Sequence, residues 1–243
     1  MAQVQAPSLP GSLQTNRMLD GWLRINVDGR VTVFTGKVEL GQGILTALAQ
    51  IAADELDVNY DRIDIISADT SRSPNEGMTA GSQSVEQSGT ALHFAAAEAR
   101  EILLQLAAAR LGVATEALSV SDGTVIAGSA RTTYWVLAQN ANFKREATAR
   151  VKPKAPSRRN VIGKSVPRRD IPRKVRGEVA YVQDMRLPGM VFGRVVRPPS
   201  RRAQLEALDE AAVRAMPGVV AVLRDGNFLA VAADREEQAI RAA

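Results

Sequence analysis

Two glycines flank a glutamine at Gly41-Gln42-Gly43, at the end of the run Thr35-Gly36-Lys37-Val38-Glu39-Leu40. Glycines there free the backbone to turn tightly and to come close to a bound group. The Gln42 amide can donate and accept hydrogen bonds. Residues 44–56 follow with apolar side chains at Leu45, Leu48, Ala49, Ala52 and Leu56, the spacing of one helix face. The first N–H groups of such a helix lack internal partners and favour an anion. The chemistry implied is the gripping of an oxygen-rich ligand. A plain strand-to-helix connection shares the pattern. A Walker-type phosphate loop is excluded, because no Gly-Lys-Ser/Thr follows. The dinucleotide fingerprint fails too, since Thr46 stands where its third glycine belongs.

Composition narrows the chemistry further. The chain has 243 residues, 45% apolar and 23% charged, as expected of a globular protein with one large or two small cores. It holds no cysteine and a single histidine, His93. Disulfides, zinc fingers, iron–sulfur ligation and thiolate catalysis are therefore ruled out for this chain. Redox work would need a cofactor or a partner subunit. Aromatics at 4% argue against base stacking. His93 falls inside a helical pattern and reads as a packing or surface residue. No apolar run is long enough for a transmembrane helix. Residues 1–21 lack the charged start and apolar centre of a secretory signal. The expected location is the cytoplasm, with a periplasmic or membrane-associated one as the alternative.

The elements that must position the loop can be read from periodicity. Residues 22–27 and 30–34 alternate around Asp28-Gly29, a hairpin signal. After the helix at 44–56, residues 63–67 read as a strand and 69–83 as a polar loop. A long alanine-rich helix spans about 85–111, ended by Gly112. A second hairpin joins 118–120 to 124–126 through Asp122-Gly123. Further on, 189–196 is strand-like. Residues 205–208 read as a strand leading into a helix at 209–216, with Asp209 its N-cap. Two strands, 219–223 and 228–232, surround Asp225-Gly226, and a last helix runs from about 234 to 243. Because that helix shows no stop signal, the chain is expected to be a fragment of a longer polypeptide.

Charge is concentrated in one segment. Residues 144–202 hold 18 Lys/Arg against 4 Asp/Glu, a net of +14, while the whole chain carries +5. Four prolines between 153 and 172 interrupt any regular pattern. The organisation expected is an irregular lead at 1–20, a first domain at 21–150, a basic Pro-rich connector at 151–176 and a second domain at 160–243. A nucleic-acid interface on the basic stretch is the competing reading. Against it stand only two aromatics, Tyr181 and Phe192, and no helix-turn-helix or zinc pattern. The preferred roles are a connector ion-paired across an acidic surface, or a dock for a partner subunit.

Three segments together resemble the N-terminal part of the large subunit of molybdenum hydroxylases, the xanthine dehydrogenase/aldehyde oxidase family. Within it they are most similar to the branch of isoquinoline 1-oxidoreductase and nicotinate dehydrogenase catalytic subunits. They are Gly36-Lys-Val-Glu-Leu-Gly-Gln-Gly43, Gly77-Met-Thr-Ala-Gly-Ser-Gln-Ser84, and a long third one. The third begins at Gly163-Lys-Ser-Val-Pro-Arg-Arg-Asp170 and runs through Asp184-Met-Arg-Leu-Pro-Gly189 to Pro217-Gly-Val-Val-Ala-Val222. The resemblance implies an α+β fold: the first part of a molybdopterin-binding domain, hairpins plus helices, followed by an α/β-hammerhead domain.

It implies a molybdopterin cofactor, in its cytosine dinucleotide form, with no direct protein ligand to the metal. Gln42 would hydrogen-bond an oxo group on the molybdenum, stabilising charge there. Gly41 and Gly43 would let backbone approach the cofactor. Gly81, Ser82, Gln83 and Ser84 would form a second cofactor loop, though a bare helix N-cap has the same pattern. The reaction implied is hydroxylation of an N-heteroaromatic or aldehyde substrate with water-derived oxygen. Electrons would pass to 2Fe-2S clusters on a separate small subunit, and the rest of the large subunit would be a further partner. The catalytic glutamate of the family lies late in the full subunit, so no catalytic residue is assigned in this chain. Alone it is expected to be inactive. Glu39, near the loop, reads as a loop or surface charge.

Overall fold

The computed structural model describes residues 8–179 and 181–243. The chain forms two compact units, Met1–Pro172 and Arg173–Ala243. Each is mixed α and β, as the sequence patterns require.

In the first unit, β1 (Leu23–Ile25) and β2 (Val31–Thr35) form the expected hairpin, with Leu23 opposite Val33 and Ile25 opposite Val31. Helix α1 (Ile44–Leu56) then crosses to β3 (Ile63–Ser67), which runs parallel to β2 from Val31/Ile63 to Thr35/Ser67. Strand β2 is thus the middle of the sheet, and all five of its residues are buried. This explains its apolar run, Val31 to Phe34 broken only by Thr32. Its C-terminal end delivers the Gly36–Gly43 loop to the start of α1.

Helix α2 (Thr90–Leu111) is preceded by a wider π-helical turn, Ser84–Gly89. Gly112 ends α2 in a left-handed conformation, its N–H donating to the Ala108 carbonyl. Ala91, Ala95, Ala96, Ala99 and Ala107 are buried within the core. Short side chains there let α2 lie close against its neighbours. Trp22, Leu48, Leu56, Ile63, Leu92 and Leu103 fill the same core; burying each leucine-sized side chain contributes about 1.5–3 kcal/mol. A second sheet follows, with β4 (Ser119–Ser121), β5 (Thr124–Ala127) and β6 (Ala130–Thr133) all antiparallel. The sequence showed only its first two strands, because Ala130-Arg131-Thr132-Thr133 has no large apolar residue to alternate. Thr133 then caps the short helix α3 (Tyr134–Leu137).

Two segments that look featureless in sequence are anchored. The N-terminal lead is irregular, yet Leu9, Leu13 and Leu19 are buried in the core, and the Trp22 indole donates to the Asn16 carbonyl at 2.7 Å; residues 1–7 of that lead lie outside the described residues. The basic segment is also held. The Asp54 carboxylate accepts from the backbone of Asn160, Val161 and Ile162 at 2.6, 3.3 and 3.2 Å. Glu98 accepts from the Thr148 N–H at 2.8 Å. The Lys154 ammonium donates to the Asp54 carbonyl at 2.6 Å and also pairs with Asp57. The Arg169 guanidinium bonds the Tyr60 and Ile63 carbonyls and stacks 4.1 Å over the Tyr60 ring. The first unit therefore extends to Pro172, past residue 150, where the first domain was expected to end. What composition showed as a connector is a strap, pinned by carboxylates of α1 and α2.

The division falls within a short helix, α4 (Ile171–Val175). In the second unit, β7 (Phe192–Val195), β8 (Val219–Asp225) and β9 (Phe228–Ala233) form an antiparallel sheet of order β7-β9-β8. Between β7 and β8 lies α5 (Glu210–Arg214), capped by Asp209 as expected, and α6 (Glu236–Ala242) follows β9. The strand expected at 205–208 does not form. Both edges of β9 are taken by β7 and β8. The Leu205 N–H instead donates to the Asn227 side chain at 3.4 Å.

Candidate functional site

Both glycine-containing loops lie in the first unit, and a buried lysine joins them. Lys37 is 1% exposed. Its ammonium donates to the backbone carbonyls of Glu76 at 2.7 Å and Met78 at 2.9 Å. The Val38 N–H donates to Thr79 Oγ1 at 3.0 Å, a second link between the loops. The Glu76 carboxylate closes the other side. Its Oε2 accepts from the Gly36 N–H at 2.8 Å, Thr35 Oγ1 at 2.9 Å and Ser88 Oγ at 3.0 Å. Strand end, loop and π-helical turn thus meet at one carboxylate. Gly36 must be glycine there, since a Cβ would sit 2.4 Å from the Pro74 carbonyl oxygen.

The Gly41–Gly43 turn is built as the sequence suggests, with positive φ of 108° at Gly41 and 84° at Gly43. The anion at the start of α1, however, is the protein's own. Glu39 Oε1 accepts from the N–H groups of Gly41 at 2.8 Å and Gly43 at 2.9 Å, and its side chain is only 8% exposed. Of the two expectations for Glu39, a loop charge or a surface charge, the first holds, and the helix start is not left free for a ligand anion. A carboxylate four residues before Gly43 reaches back into the turn because the two glycines point their N–H groups inward.

Gln42 is exposed, and its amide is engaged within the same loop. Its Oε1 accepts from the Leu40 N–H at 2.6 Å, and its Nε2 donates to the Val38 carbonyl at 2.9 Å. An amide nitrogen carries two N–H bonds, so one remains to face a bound group. In the second loop, Gly81, Ser82 and Gln83 are exposed, and Ser84 is half-buried. Gly81 and Ser82 adopt consecutive left-handed conformations, φ 61° and 59°, and Gln83 makes no side-chain cap for the turn that follows. Within this loop the Gln83 N–H donates to the Ala80 carbonyl at 3.3 Å. The Gln42 amide bonds within its own loop and not to residues 81–84. The junction brings together Lys37–Val38 and Glu76–Thr79, the roots of the loops.

Beside that junction lies a cavity of about 320 Å³, lined in part by Gly36, Asp69, Asn75, Glu76 and Gly77. Asp69 is held down to about 2 by hydrogen bonds from the Ser71 hydroxyl and from Arg72. Glu76 Oε1 is buried without a hydrogen-bond partner. Among the described residues, no group of three His, Asp or Glu side chains is placed to hold a metal ion by itself. An oxygen-rich group fits the second loop and the spare Gln42 N–H, and does not fit the capped N-terminus of α1. Sequence reasoning passed over Lys37, Glu76 and Thr35.

The sequence profile described as "Molybdopterin cofactor-binding domain" matches residues 3–164, which include both loops and most of the strap. The chain belongs to this family. A nicotinate dehydrogenase subunit from Pseudomonas putida is 44% identical over 99% of this chain. The beta subunit of isoquinoline 1-oxidoreductase from Brevundimonas diminuta is 31% identical over 91%. The chain spans 22% of the first relative's length and 34% of the second's. Quinoline 2-oxidoreductase from Pseudomonas putida 86, a solved structure, matches 54% of this chain and 18% of its own at 28% identity, with a TM-score of 0.44. The mixed α and β fold and the molybdenum–pterin family expected from the three segments stand on the family match and the two relatives.

Proposed function

We propose that this chain supplies one wall of the cofactor site in a molybdenum hydroxylase acting on an N-heteroaromatic or aldehyde substrate. The carrying observation is that the family match spans both loops and that Lys37 and Glu76 fasten their roots together. The names of the two relatives, a nicotinate dehydrogenase and an isoquinoline oxidoreductase, favour the N-heteroaromatic class. The pterin cofactor, in our reading its cytosine dinucleotide form, supplies the metal and the redox change. Electrons leave to 2Fe-2S clusters on a separate small subunit. The second unit would be part of an α/β-hammerhead, a reading supported by its three antiparallel strands and two flanking helices.

In this reading the residues of both loops would contact the cofactor. Gln42 would offer its spare amide N–H to the bound group and stabilise negative charge there without ligating the metal. Gly81 and Ser82 would present backbone N–H groups, Ser82 and Ser84 their hydroxyls and Gln83 its side-chain amide to the phosphate and pterin oxygens. Lys37 holds both loops in register and touches neither substrate nor cofactor. No carboxylate of this chain is assigned the proton-abstracting role. Among the described residues, no helix is long and apolar enough to cross a membrane.

The test is metal analysis of the protein expressed together with pterin-cofactor maturation proteins. The purified protein is expected to carry molybdenum, with several-fold less in the double variant Ser82→Pro/Ser84→Ala. Metal-free wild-type protein, or equal molybdenum in both, would overturn the reading.

A further inference from the structure

The strap reaches the Gly41–Gly43 turn from 127 positions away in sequence, and its contact there is specific. Arg168 Nη1 donates to the Gly41 carbonyl at 2.8 Å, and Nη2 lies 3.5 Å from Glu39 Oε1. The guanidinium is itself fixed by Asp170, through Nε at 3.0 Å and Nη2 at 2.6 Å. Gly43 lies against the same group: a Cβ there would be 3.6 Å from Arg168 Cζ. Glu39 meanwhile accepts from the Gly41 and Gly43 N–H groups. One carbonyl and two N–H groups of the turn are therefore held by a carboxylate–guanidinium–carboxylate chain. Gln42 sits at the apex of that turn.

We infer that Glu39, Arg168 and Asp170 form a latch that sets the conformation of the Gln42 turn before any cofactor arrives. Arg168 is a positioning residue. It bears on the turn through the Gly41 carbonyl and through Glu39. A planar guanidinium can bond the turn and Asp170 at once, which a lysine ammonium of similar reach does less well. The strap carrying Arg168 is pinned independently by Arg169, whose N–H donates to Thr46 Oγ1 at 3.2 Å on α1 itself. The turn and the latch are thus referred to the same helix. Preorganisation of this kind removes the cost of ordering the loop when a ligand binds. The inference rests on the proposed function only for what the turn faces, and not for the latch itself.

Amide hydrogen exchange on the cofactor-free full chain decides the matter without relying on the cofactor. In the wild type, the Gly41 and Gly43 amides are expected to exchange at least tenfold more slowly than the exposed amides of Gly81 and Ser82. Arg168→Ala and Glu39→Gln should each speed Gly41 and Gly43 about tenfold, while amides in the middle of α2 keep their rates. Arg168→Lys should recover part of the protection, and Lys164→Ala, on the same strap, should change nothing in the turn. Fast exchange of Gly41 and Gly43 already in the wild type would overturn the latch, as would unchanged rates in both Arg168→Ala and Glu39→Gln. Molybdenum content of the same variants, measured after co-expression, reports separately on the cofactor reading: metal-free wild type sinks that reading and leaves the exchange result to judge the latch.

Discussion

Lys37 is a buried cation, and burying one is costly unless its donors are satisfied. The carbonyls of Glu76 and Met78 meet that need, so the interaction is a stitch between loops more than an ion pair. Lys37→Met keeps the side chain's bulk and removes the donors. Two carbonyls then lose their partner, at about 1–3 kcal/mol for each one left unsatisfied. In a unit of this size each kcal/mol lowers Tm by roughly 2–4 °C. The expected result is a Tm lower by about 4–24 °C together with faster exchange of the Thr79 and Ala80 amides. A melt within about 2 °C of wild type would count against the stitch. The glycines and Gln42 stood out from sequence only through the resemblance, because a plain strand-to-helix connection shares their pattern. Lys37 could not, since its partners are backbone carbonyls about forty positions away, which carry no side-chain signature. The choice between a loop and a surface role for Glu39 was hidden for a related reason. Whether a carboxylate faces water or its own helix start depends on φ at Gly41 and Gly43.

At the scale of elements, periodicity located α1, α2, β2 and β3 well, but said nothing of how the two sheets of the first unit are joined. Asp122-Gly123 was legible as a hairpin turn between β4 and β5. The structure gives Asp122 a second task. Its carboxylate accepts from Arg62 Nε at 2.6 Å, Arg62 Nη2 at 2.8 Å and the Asn59 N–H at 2.9 Å. Arg62 also donates to the Gly29 carbonyl in the β1–β2 turn, at 2.9 Å. The Arg62 hydrogen bonds, chiefly, hold the Asp122 carboxyl below its usual range, and Arg30 does the same for Asp64 between β2 and β3. A carboxyl whose folded-state pKa is depressed stabilises the fold above its unfolded value near 3.9, and that contribution disappears as pH falls through the folded value. Thermal melts between pH 7 and pH 3 should therefore show wild type losing Tm steeply below about pH 4. Asp122→Asn should start lower at pH 7 and lose less on acidification, so the two curves converge. Parallel curves across the whole range would refute this link. Asp64 keeps its own share of the acid sensitivity in both proteins.

For the whole molecule, the distribution of buried apolar surface sets where the chain yields first. The contiguous core lies entirely within the first unit, from Leu9 to Ala147. The second unit buries Val222, Leu229, Ala230, Val231, Ala233 and Ala239, mostly small or at the sheet centre, and leaves Val195, Val220, Leu223 and Phe228 about half exposed. Its ion pairs, such as Arg173–Glu178 and Arg194–Glu236, are on the surface and contribute little. Trypsin makes this testable, because both the strap and the junction are rich in its sites. Arg150 and Arg158 are exposed as side chains, yet the backbone around them is tied down by Glu98, Glu55 and Asp54. Arg173 and Arg176 are equally exposed, in a segment held mainly by local contacts. A protease needs several residues of chain to open locally, so anchoring of the backbone decides the site more than the charge of the side chain does. Limited digestion of the intact chain should cut first between Arg173 and Arg202, leaving an N-terminal fragment that still contains the strap. First cleavage between Lys144 and Arg169 would instead mean that the strap is loose, and with it the latch on the Gln42 turn. Asp54→Asn offers the complementary check: weakening the acceptor for Asn160, Val161 and Ile162 should move early cleavage into the strap, at Arg158 or Arg159, while the sites beyond Pro172 are cut as before.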